Sequence, residues 1–192
     1  NAGDGVDWVE GGAGDDKILL GAGDDKDFGL NPGEPAGGAW GGDGDDYING
    51  GDGDDRIDGQ AGDDKLVGGK GDDRIFGNPG DDKIFGQSGD DILRGGDGED
   101  LILGGAGDDR IFGENDDDIL KGEAGDDRIE GGAGDDYING GDGVDWAEGG
   151  AGNDKILLGD GDDKDFGLEP GEPQGGAWGG DGDDYINGGD GD

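Results

Sequence analysis

The chain has 192 residues, of which 56 are glycine and 54 are aspartate or glutamate, and its formal net charge is −41. A chain this acidic repels phosphate groups, which excludes nucleic acids and anionic membrane surfaces as partners and leaves cations as the natural ligands. It has no cysteine and no histidine, so disulfides, thiolate or imidazole metal ligands and the usual nucleophilic catalytic centres cannot be assembled, and we expect no enzymatic activity.

Residues 1–28 contain the first three copies of a nine-residue pattern. The pattern has Gly at positions one, two and four, Asp at position six and an aliphatic residue at position eight, as in residues 11–19 (GGAGDDKIL). Fourteen further copies follow without a slip in residues 41–166, and residues 179–192 hold one complete copy and a truncated one. A fixed period of this kind predicts one continuous solenoid.

Two twelve-residue insertions interrupt the period, at residues 29–40 (GLNPGEPAGGAW) and 167–178 (GLEPGEPQGGAW). Each contains two prolines, which break strand pairing, so we predict surface loops, where functional elaborations usually sit. Each follows a copy with Asp27 or Asp165 at position eight, so we expect the core to be interrupted there. Trp40 and Trp178 close the insertions and are interpreted as packing the loop onto a coil, with an aromatic platform for carbohydrate as the alternative.

The sequence also repeats with a second, longer period. Residues 2–54 recur as residues 140–192 with six differences in 53 positions. The offset of 138 residues corresponds to fourteen nonapeptides and one insertion. We therefore interpret the chain as a fragment of a longer array of near-identical blocks.

The last three residues of each copy, such as Arg74, Ile75 and Phe76, are predicted to form a short strand with the middle side chain inward, after a six-residue turn. Two copies then make one coil of 18 residues. One aliphatic residue per copy buries too little apolar surface to offset the entropy of ordering the chain. Stacking also brings the sixth-position carboxylates to about 4.8 Å from one another. We therefore expect disorder without a divalent cation, which reverses the sign of that repulsion.

The GGxGxD pattern, with an aliphatic residue two positions later, resembles the calcium-binding nonapeptide of the RTX (repeats-in-toxin) family. The resemblance implies an all-β, right-handed parallel β-roll, a β-solenoid with two nonapeptides per coil and two sheets of short parallel strands. It also implies Ca²⁺ between the turns of copies two apart, held by both sixth-position carboxylates and by main-chain carbonyls. Eighteen complete copies would then hold at most 16 ions.

The implied metal ligands are the sixth-position residues of the complete copies: Asp7, Asp16, Asp25, Asp46, Asp55, Asp64, Asp73, Asp82, Asp91, Asp100, Asp109, Asp118, Asp127, Asp136, Asp145, Asp154, Asp163 and Asp184. Two deviations from the repeat pattern affect individual implied calcium sites. Asp116 replaces the fourth-position Gly of residues 113–121, so that turn is predicted to be strained or deformed. The sites beside the two insertions are those that could lose a partner.

Fifth-position acids such as Asp15, Asp45 and Asp72 are interpreted as solvent-facing groups that raise the local cation concentration, with a role as second ligands as the alternative. A set of outward apolar residues at positions seven and nine is consistent with a lateral contact between rolls or with neighbours covering their own sheet. These residues are Phe76, Phe85, Ile92, Leu101, Leu103 and Phe112.

The expected function is a calcium-dependent extracellular structural or adhesive module, in which Ca²⁺ rigidifies a rod of an adhesin, surface layer or filament. The alternative is the calcium-triggered folding and secretion domain of a type I-secreted RTX toxin or hydrolase. An ice-binding role is disfavoured because the chain has no threonine. The expected partners are calcium ions, with other copies of the chain or cell-surface material, and the expected location is secreted or at a bacterial cell surface, since such loops bind Ca²⁺ weakly.

Overall fold

The computed structural model describes residues 3–4, 8–14, 16–22, 38–161, 176–182 and 185–187, and these form β-strands and turns. The strands are β1 (Gly3–Asp4), β2 (Trp8–Ala13), β3 (Lys17–Ala22), β4 (Gly38–Asp43), β5 (Tyr47–Asp52), β6 (Arg56–Ala61), β7 (Lys65–Lys70), β8 (Arg74–Pro79), β9 (Lys83–Ser88), β10 (Ile92–Asp97), β11 (Leu101–Ala106), β12 (Arg110–Asn115), β13 (Ile119–Ala124), β14 (Arg128–Ala133), β15 (Tyr137–Asp142), β16 (Trp146–Ala151), β17 (Lys155–Asp160), β18 (Gly176–Asp181) and β19 (Tyr185–Asn187). In this described part, no helix is long and apolar enough to cross a bilayer.

The strands alternate between two parallel sheets. The odd-numbered strands form a ten-stranded sheet, sheet A, and the even-numbered strands form a nine-stranded sheet, sheet B. Within the uninterrupted repeats, paired strands are related by one 18-residue coil, as in the pairing of Leu93 with Ile111 between β10 and β12. The predicted all-β parallel solenoid with two nonapeptides per coil is confirmed.

The strands are longer than the three residues expected from the sequence. β8 covers positions seven to nine of one copy and positions one to three of the next, so only positions four to six remain as turn. The pairing of β8 with β10 joins Phe76 to Arg94 and then Asn78 to Gly96, and it skips the position-one glycines between them. Burial alternates along the strand, so both position eight and the following position one face inward.

The core is a column of aliphatic side chains at position eight. Ile75, Leu93 and Ile111 are fully buried on successive strands of sheet B, and Ile84, Ile102 and Leu120 are their counterparts in sheet A. Each coil therefore contributes one inward aliphatic residue from each sheet, as the sequence predicts. In β17 a second apolar side chain joins the core, because Leu158 stands at position one in place of Gly and is 2% exposed.

The stack continues across the first insertion. β2 pairs with β4 at an offset of 30 residues, one coil plus twelve residues, with Val9 opposite Ala39. Ala39 is fully buried and pairs on its other side with Ile57. Within the described residues the column of inward side chains is therefore continuous, because the end of the segment assigned to the insertion forms part of β4 and supplies the inward residue. The interruption expected at Asp27 stays a prediction, since Asp27 lies outside those residues.

The second insertion ends in the same way, since β18 pairs with β16 at an offset of 30 residues. Trp40 lies in β4 and is half-buried, whereas Trp178 lies in β18 and is 63% exposed. Asp27, Asp165 and most of both insertions lie outside the described residues.

The outward apolar set is divided between the two sheets. Phe76, Ile92 and Phe112 lie on β8, β10 and β12 of sheet B, whereas Phe85, Leu101 and Leu103 lie on β9 and β11 of sheet A. Successive nonapeptides alternate between sheets, so residues that are close in the sequence point to opposite sides of the solenoid. The six residues therefore do not form a single lateral surface.

Candidate metal sites along the turn edges

The turns place the sixth-position aspartates in two rows, one along each edge of the solenoid. The first row comprises Asp16, Asp46, Asp64, Asp82, Asp100, Asp118, Asp136 and Asp154, in the turns that lead into sheet A. The second row comprises Asp55, Asp73, Asp91, Asp109, Asp127 and Asp145, in the turns that lead into sheet B. Four residues implied as ligands, Asp7, Asp25, Asp163 and Asp184, lie outside the described residues.

In both rows, every member after the first described one has a carboxylate oxygen held by the main chain of its neighbour. The N–H of Asp46 donates to Oδ1 of Asp64 at 2.7 Å, and the N–H of Asp55 donates to Oδ1 of Asp73 at 2.8 Å. The same bond recurs one coil apart along both rows. This bond fixes the carboxylates one above another.

The link survives the first insertion. The N–H of Asp16 donates to Oδ1 of Asp46 at 2.7 Å across 30 residues of chain. Asp16 therefore keeps its neighbour in the first row, although the sequence left open the loss of a partner beside the insertion.

The second carboxylate oxygen is buried and has no hydrogen-bond partner. This holds for Oδ2 of thirteen row members, all of them except Asp16, and their residues are 0–3% exposed. A buried anionic oxygen without a partner is costly, because it has lost its hydration and gained nothing in exchange. Repetition of this arrangement along both edges indicates a site for a positive ligand.

The position-one glycine keeps space open at that oxygen. A Cβ added to Gly41 would collide with Oδ2 of Asp46 in its own turn and with the carbonyl oxygen of Gly59 one coil further on. The collision with the carboxylate recurs at the position-one glycines from Gly50 to Gly140, and at all of them except Gly68 the corresponding carbonyl is also close. At Gly140 that carbonyl is the one of Leu158. A carboxylate oxygen and a main-chain oxygen therefore converge on one small space, a donor set that suits a hard cation such as Ca²⁺.

Acidic side chains alone do not complete such a site. In the ranges that the structure describes, no three Asp or Glu side chains come together as a metal cluster. The sites therefore depend on main-chain carbonyls, as the resemblance implies. The space beside this oxygen accounts for the glycine at position one of most described copies, and Leu158 is the exception.

Burial raises the pKa of nine row carboxyls well above the ordinary value. For Asp73 it raises the pKa from 3.8 to about 8; the hydrogen bond from the N–H of Asp55 lowers it, and the charges of Asp91 and Asp55 raise it further. Burial likewise raises the pKa of Asp82, Asp118 and Asp127 to about 8, of Asp91, Asp100 and Asp136 to about 7, and of Asp64 and Asp109 to about 6. The folded coil thus disfavours its own negative charge.

The turn with Asp116 at position four keeps its shape. Asp116 has a φ of 72°, in the left-handed region that the fourth-position glycines also occupy, as in Gly125 with a φ of 136°. Its row member Asp118 is 1% exposed and has the same buried Oδ2 as the others. The predicted strain is present in the backbone angle, and the site geometry is retained.

Fifth-position acids form a second set of links that the sequence did not reveal. Asp45 and Asp72 are exposed, as interpreted, and Asp15 lies outside the described residues. The N–H of Asp63 nevertheless donates to Oδ1 of Asp45 at 3.0 Å, and the N–H of Asp81 donates to Oδ1 of Asp63. These bonds run from each coil to the preceding one, opposite in direction to those of the sixth-position rows. The recurrence of a short acid at position five is the signal that could have indicated them.

Comparison with known protein families shows which family the repeat resembles. The family model for four copies of the RTX calcium-binding nonapeptide repeat matches residues 1–26, 40–75, 58–93, 67–102, 76–111, 85–120, 112–147, 139–164 and 177–192. Together these matches leave out only residues 27–39 and 165–176, within or next to the two insertions. No curated protein sequence matches the chain.

Proposed function

Because the chain belongs to the RTX family of calcium-binding nonapeptide repeats, we propose that it is an extracellular structural module whose coils fold and stiffen when Ca²⁺ binds between stacked turns. The observation that carries the proposal is the pair of rows in which thirteen Oδ2 atoms are buried without a hydrogen-bond partner. Bound calcium would give each of these oxygens a positive partner.

The proposed ligands are the sixth-position aspartates together with the carbonyl oxygens of position one in the copy one coil further on. Oδ2 of Asp91 and the carbonyl of Gly104 illustrate the pair. Calcium accepts six to eight oxygen ligands in flexible geometry, whereas Mg²⁺ requires a tighter octahedron and retains its waters. The four sixth-position residues outside the described part are assigned the same role from the repeat alone.

The charge of the chain supports this assignment. Up to 16 divalent ions would add +32 to a formal charge of −41. The ions would also remove the repulsion between neighbouring carboxylates, which otherwise opposes stacking. Folding and calcium binding are therefore one coupled event.

A rod outside the cell is the context that we propose. The near-exact recurrence of residues 2–54 as 140–192 favours a repetitive rod, and the pairing of β2 with β4 supports continuous stacking through an insertion. Open loops with few carboxylates per ion bind Ca²⁺ in the range of extracellular modules. The alternative role is a folding and secretion domain of an exported toxin or hydrolase. Such a domain would also fold when it binds calcium, but its gene would encode a toxin or hydrolase domain beside the repeats.

A calcium titration followed by far-UV circular dichroism tests the switch. We expect the β signal to appear cooperatively with Ca²⁺, to be lost with excess EDTA, and not to be restored by equimolar Mg²⁺. An ordered coil in EDTA contradicts the proposal. The parent gene separates the two roles: many 138-residue blocks support the rod, and a single block beside a toxin or hydrolase domain supports the alternative.

A further inference from the structure

The outer face of sheet B presents one arginine per strand on five successive strands. Arginine is found at Arg56, Arg74, Arg94, Arg110 and Arg128, on β6, β8, β10, β12 and β14. These are all the arginines of the chain. All lysines within the described strands lie in sheet A. They are Lys17, Lys65, Lys70, Lys83, Lys121 and Lys155.

Several arginines of this row are held against the sheet by aromatic rings. Arg94 lies 4.4 Å from the ring centroid of Phe112 and also pairs with Glu114 at 2.8 Å. Arg128 lies 4.2 Å from the ring of Trp146, and its Nε and Nη2 donate to Oε1 of Glu130. Stacking of this kind orders a guanidinium and leaves its remaining N–H groups available for further hydrogen bonds. The side chains of Arg94 and Arg128 remain 41% and 48% exposed.

The turns that lead into sheet A carry a row of the opposite charge. Exposed fifth-position acids stand in six successive coils, at Asp45, Asp63, Asp81, Glu99, Asp117 and Asp135. The Oδ1 atom of Asp63 accepts the N–H of Asp81, and that of Asp81 accepts the N–H of Glu99. One oxygen fixes the carboxylate to its own solenoid, and a carboxylate has further lone pairs on its second oxygen. This acidic row is therefore ordered before any partner arrives.

Four arginines of the row stand at position seven, where Arg56 pairs with Arg74 and Arg110 with Arg128, so they repeat in 18-residue coils as the acidic row does. Arg94 lies two residues further along its strand and pairs with Phe76 and Phe112. When two copies lie side by side, one matched pair therefore brings the following pairs into register. A polymer of another kind, such as a sulfated glycan, matches the row only if its own repeat has the same length. The shared period favours a second copy of this chain as the partner.

We propose that the arginine row on sheet B docks against the acidic row of a second copy, so that calcium-loaded rods associate laterally. The contact joins two different surfaces, so a third copy can add in the same way and the assembly can grow into a bundle. The inference rests on the proposed function, because Ca²⁺ is needed to order the coils and to reduce the repulsion between two chains of formal charge −41.

Sedimentation velocity of the full chain in millimolar CaCl₂ tests the contact. The main variant carries Arg74→Gln, Arg110→Gln and Arg128→Gln. Its matched control carries Lys65→Gln, Lys83→Gln and Lys155→Gln, with the same loss of charge on sheet A. We expect the parent chain to associate as its concentration rises and to dissociate in about 0.5 M NaCl. The arginine variant should associate about tenfold more weakly, and the lysine control should behave as the parent.

A second variant changes the acidic row by Asp63→Asn, Asp81→Asn and Asp117→Asn, which keeps an acceptor oxygen for the N–H of the next coil. Neither variant should self-associate strongly, but a mixture should form a one-to-one complex, because each retains one of the two surfaces. A monomeric parent chain, equal effects of the arginine and lysine changes, or binding of a sulfated oligosaccharide without self-association overturns the proposal. Circular dichroism in calcium separates this result from failure of the proposed function, in which the β signal itself is absent.

Discussion

The main-chain N–H of Asp73 donates a 2.7 Å hydrogen bond to Oδ1 of Asp91, one coil further on, while Oδ2 of Asp91 is buried without a hydrogen-bond partner. One oxygen of this carboxylate thus joins two coils, and ionisation of the group places negative charge on the other oxygen, which is shielded from solvent. The side chain of Asp91 therefore aligns the stacked coils through its hydrogen bond, while the repulsion between its charge and those of neighbouring carboxylates destabilises the stack. A cation at Oδ2 would remove this repulsion and leave the hydrogen bond in place.

Asp91→Asn separates these two roles. The amide oxygen can still accept the N–H of Asp73, but the charge at Oδ2 is lost. We expect calorimetry to show the loss of one or two calcium ions per chain and a higher calcium concentration for folding. The control is Asp90→Asn at the exposed fifth position, which changes the formal charge equally and should leave the stoichiometry unchanged. Equal loss of ions in both variants would contradict the assignment of the sites to position six.

Gly95→Ala tests the space at position one. The new Cβ would collide with Oδ2 of Asp100 and with the carbonyl of Gly113, both proposed calcium ligands. We expect loss of the ion at this site and a decrease of about 1–3 kcal/mol in the free energy of unfolding in calcium, the range for overpacking. The control is Asp97→Ala at the exposed position three, where Ala106 stands in the next copy, with an expected change within about 0.5 kcal/mol. Full calcium stoichiometry in Gly95→Ala would contradict the placement of a calcium ion between Oδ2 of Asp100 and the carbonyl of Gly113.

The period allowed the core and the sixth-position rows to be predicted, because a fixed count determines which residue faces inward and which ones stack. Ile75 and Asp73 lie where that count puts them. The strand length was missed because a position-one glycine such as Gly77 has the composition of a turn although it lies in a strand. Its glycine requirement comes from a close approach to Asp82 in space, which the local sequence does not reveal.

The insertion boundary was missed for a related reason. The residue that completes the core, Ala39, is small and follows a Pro- and Gly-rich segment, so only its pairing with Val9 and Ile57 identifies it as a core residue. The fifth-position links were missed because their one signal in the sequence, the recurrence of a short acid at position five, also fits side chains that simply face solvent.

The raised pKa values predict opposite effects of pH on the metal-free and calcium-bound states. Burial raises the pKa of Asp73 to about 8 and that of Asp64 to about 6, above the value near 3.9 of an unfolded aspartate. Their protonation therefore stabilises the metal-free coil fully below about pH 4, and this contribution is lost as pH rises through 6–8. In EDTA we expect more β signal near pH 4 than at pH 8.

Calcium binding should show the reverse dependence, because protons compete with Ca²⁺ for the same oxygens. We expect calcium affinity to rise between about pH 6 and pH 8 and binding at pH 7 to release protons. Calorimetry in two buffers of different ionisation enthalpy measures that release. No proton release, together with a flat affinity over this range, contradicts the burial of the row carboxyls.

Asp116 offers a separate test of strain against charge. Its φ of 72° is unfavourable for a residue with a Cβ, and glycine adopts such angles freely. Asp116→Gly should therefore stabilise the calcium-loaded coil by roughly 0.5–1 kcal/mol, measured by urea unfolding. The charge of Asp116 also raises the pKa of Asp118 and Asp100, so its removal should ease repulsion in the metal-free state. Asp116→Asn removes the same charge and keeps the Cβ. If strain dominates, only the glycine variant gains stability in calcium, whereas equal gains in both variants assign the effect to charge.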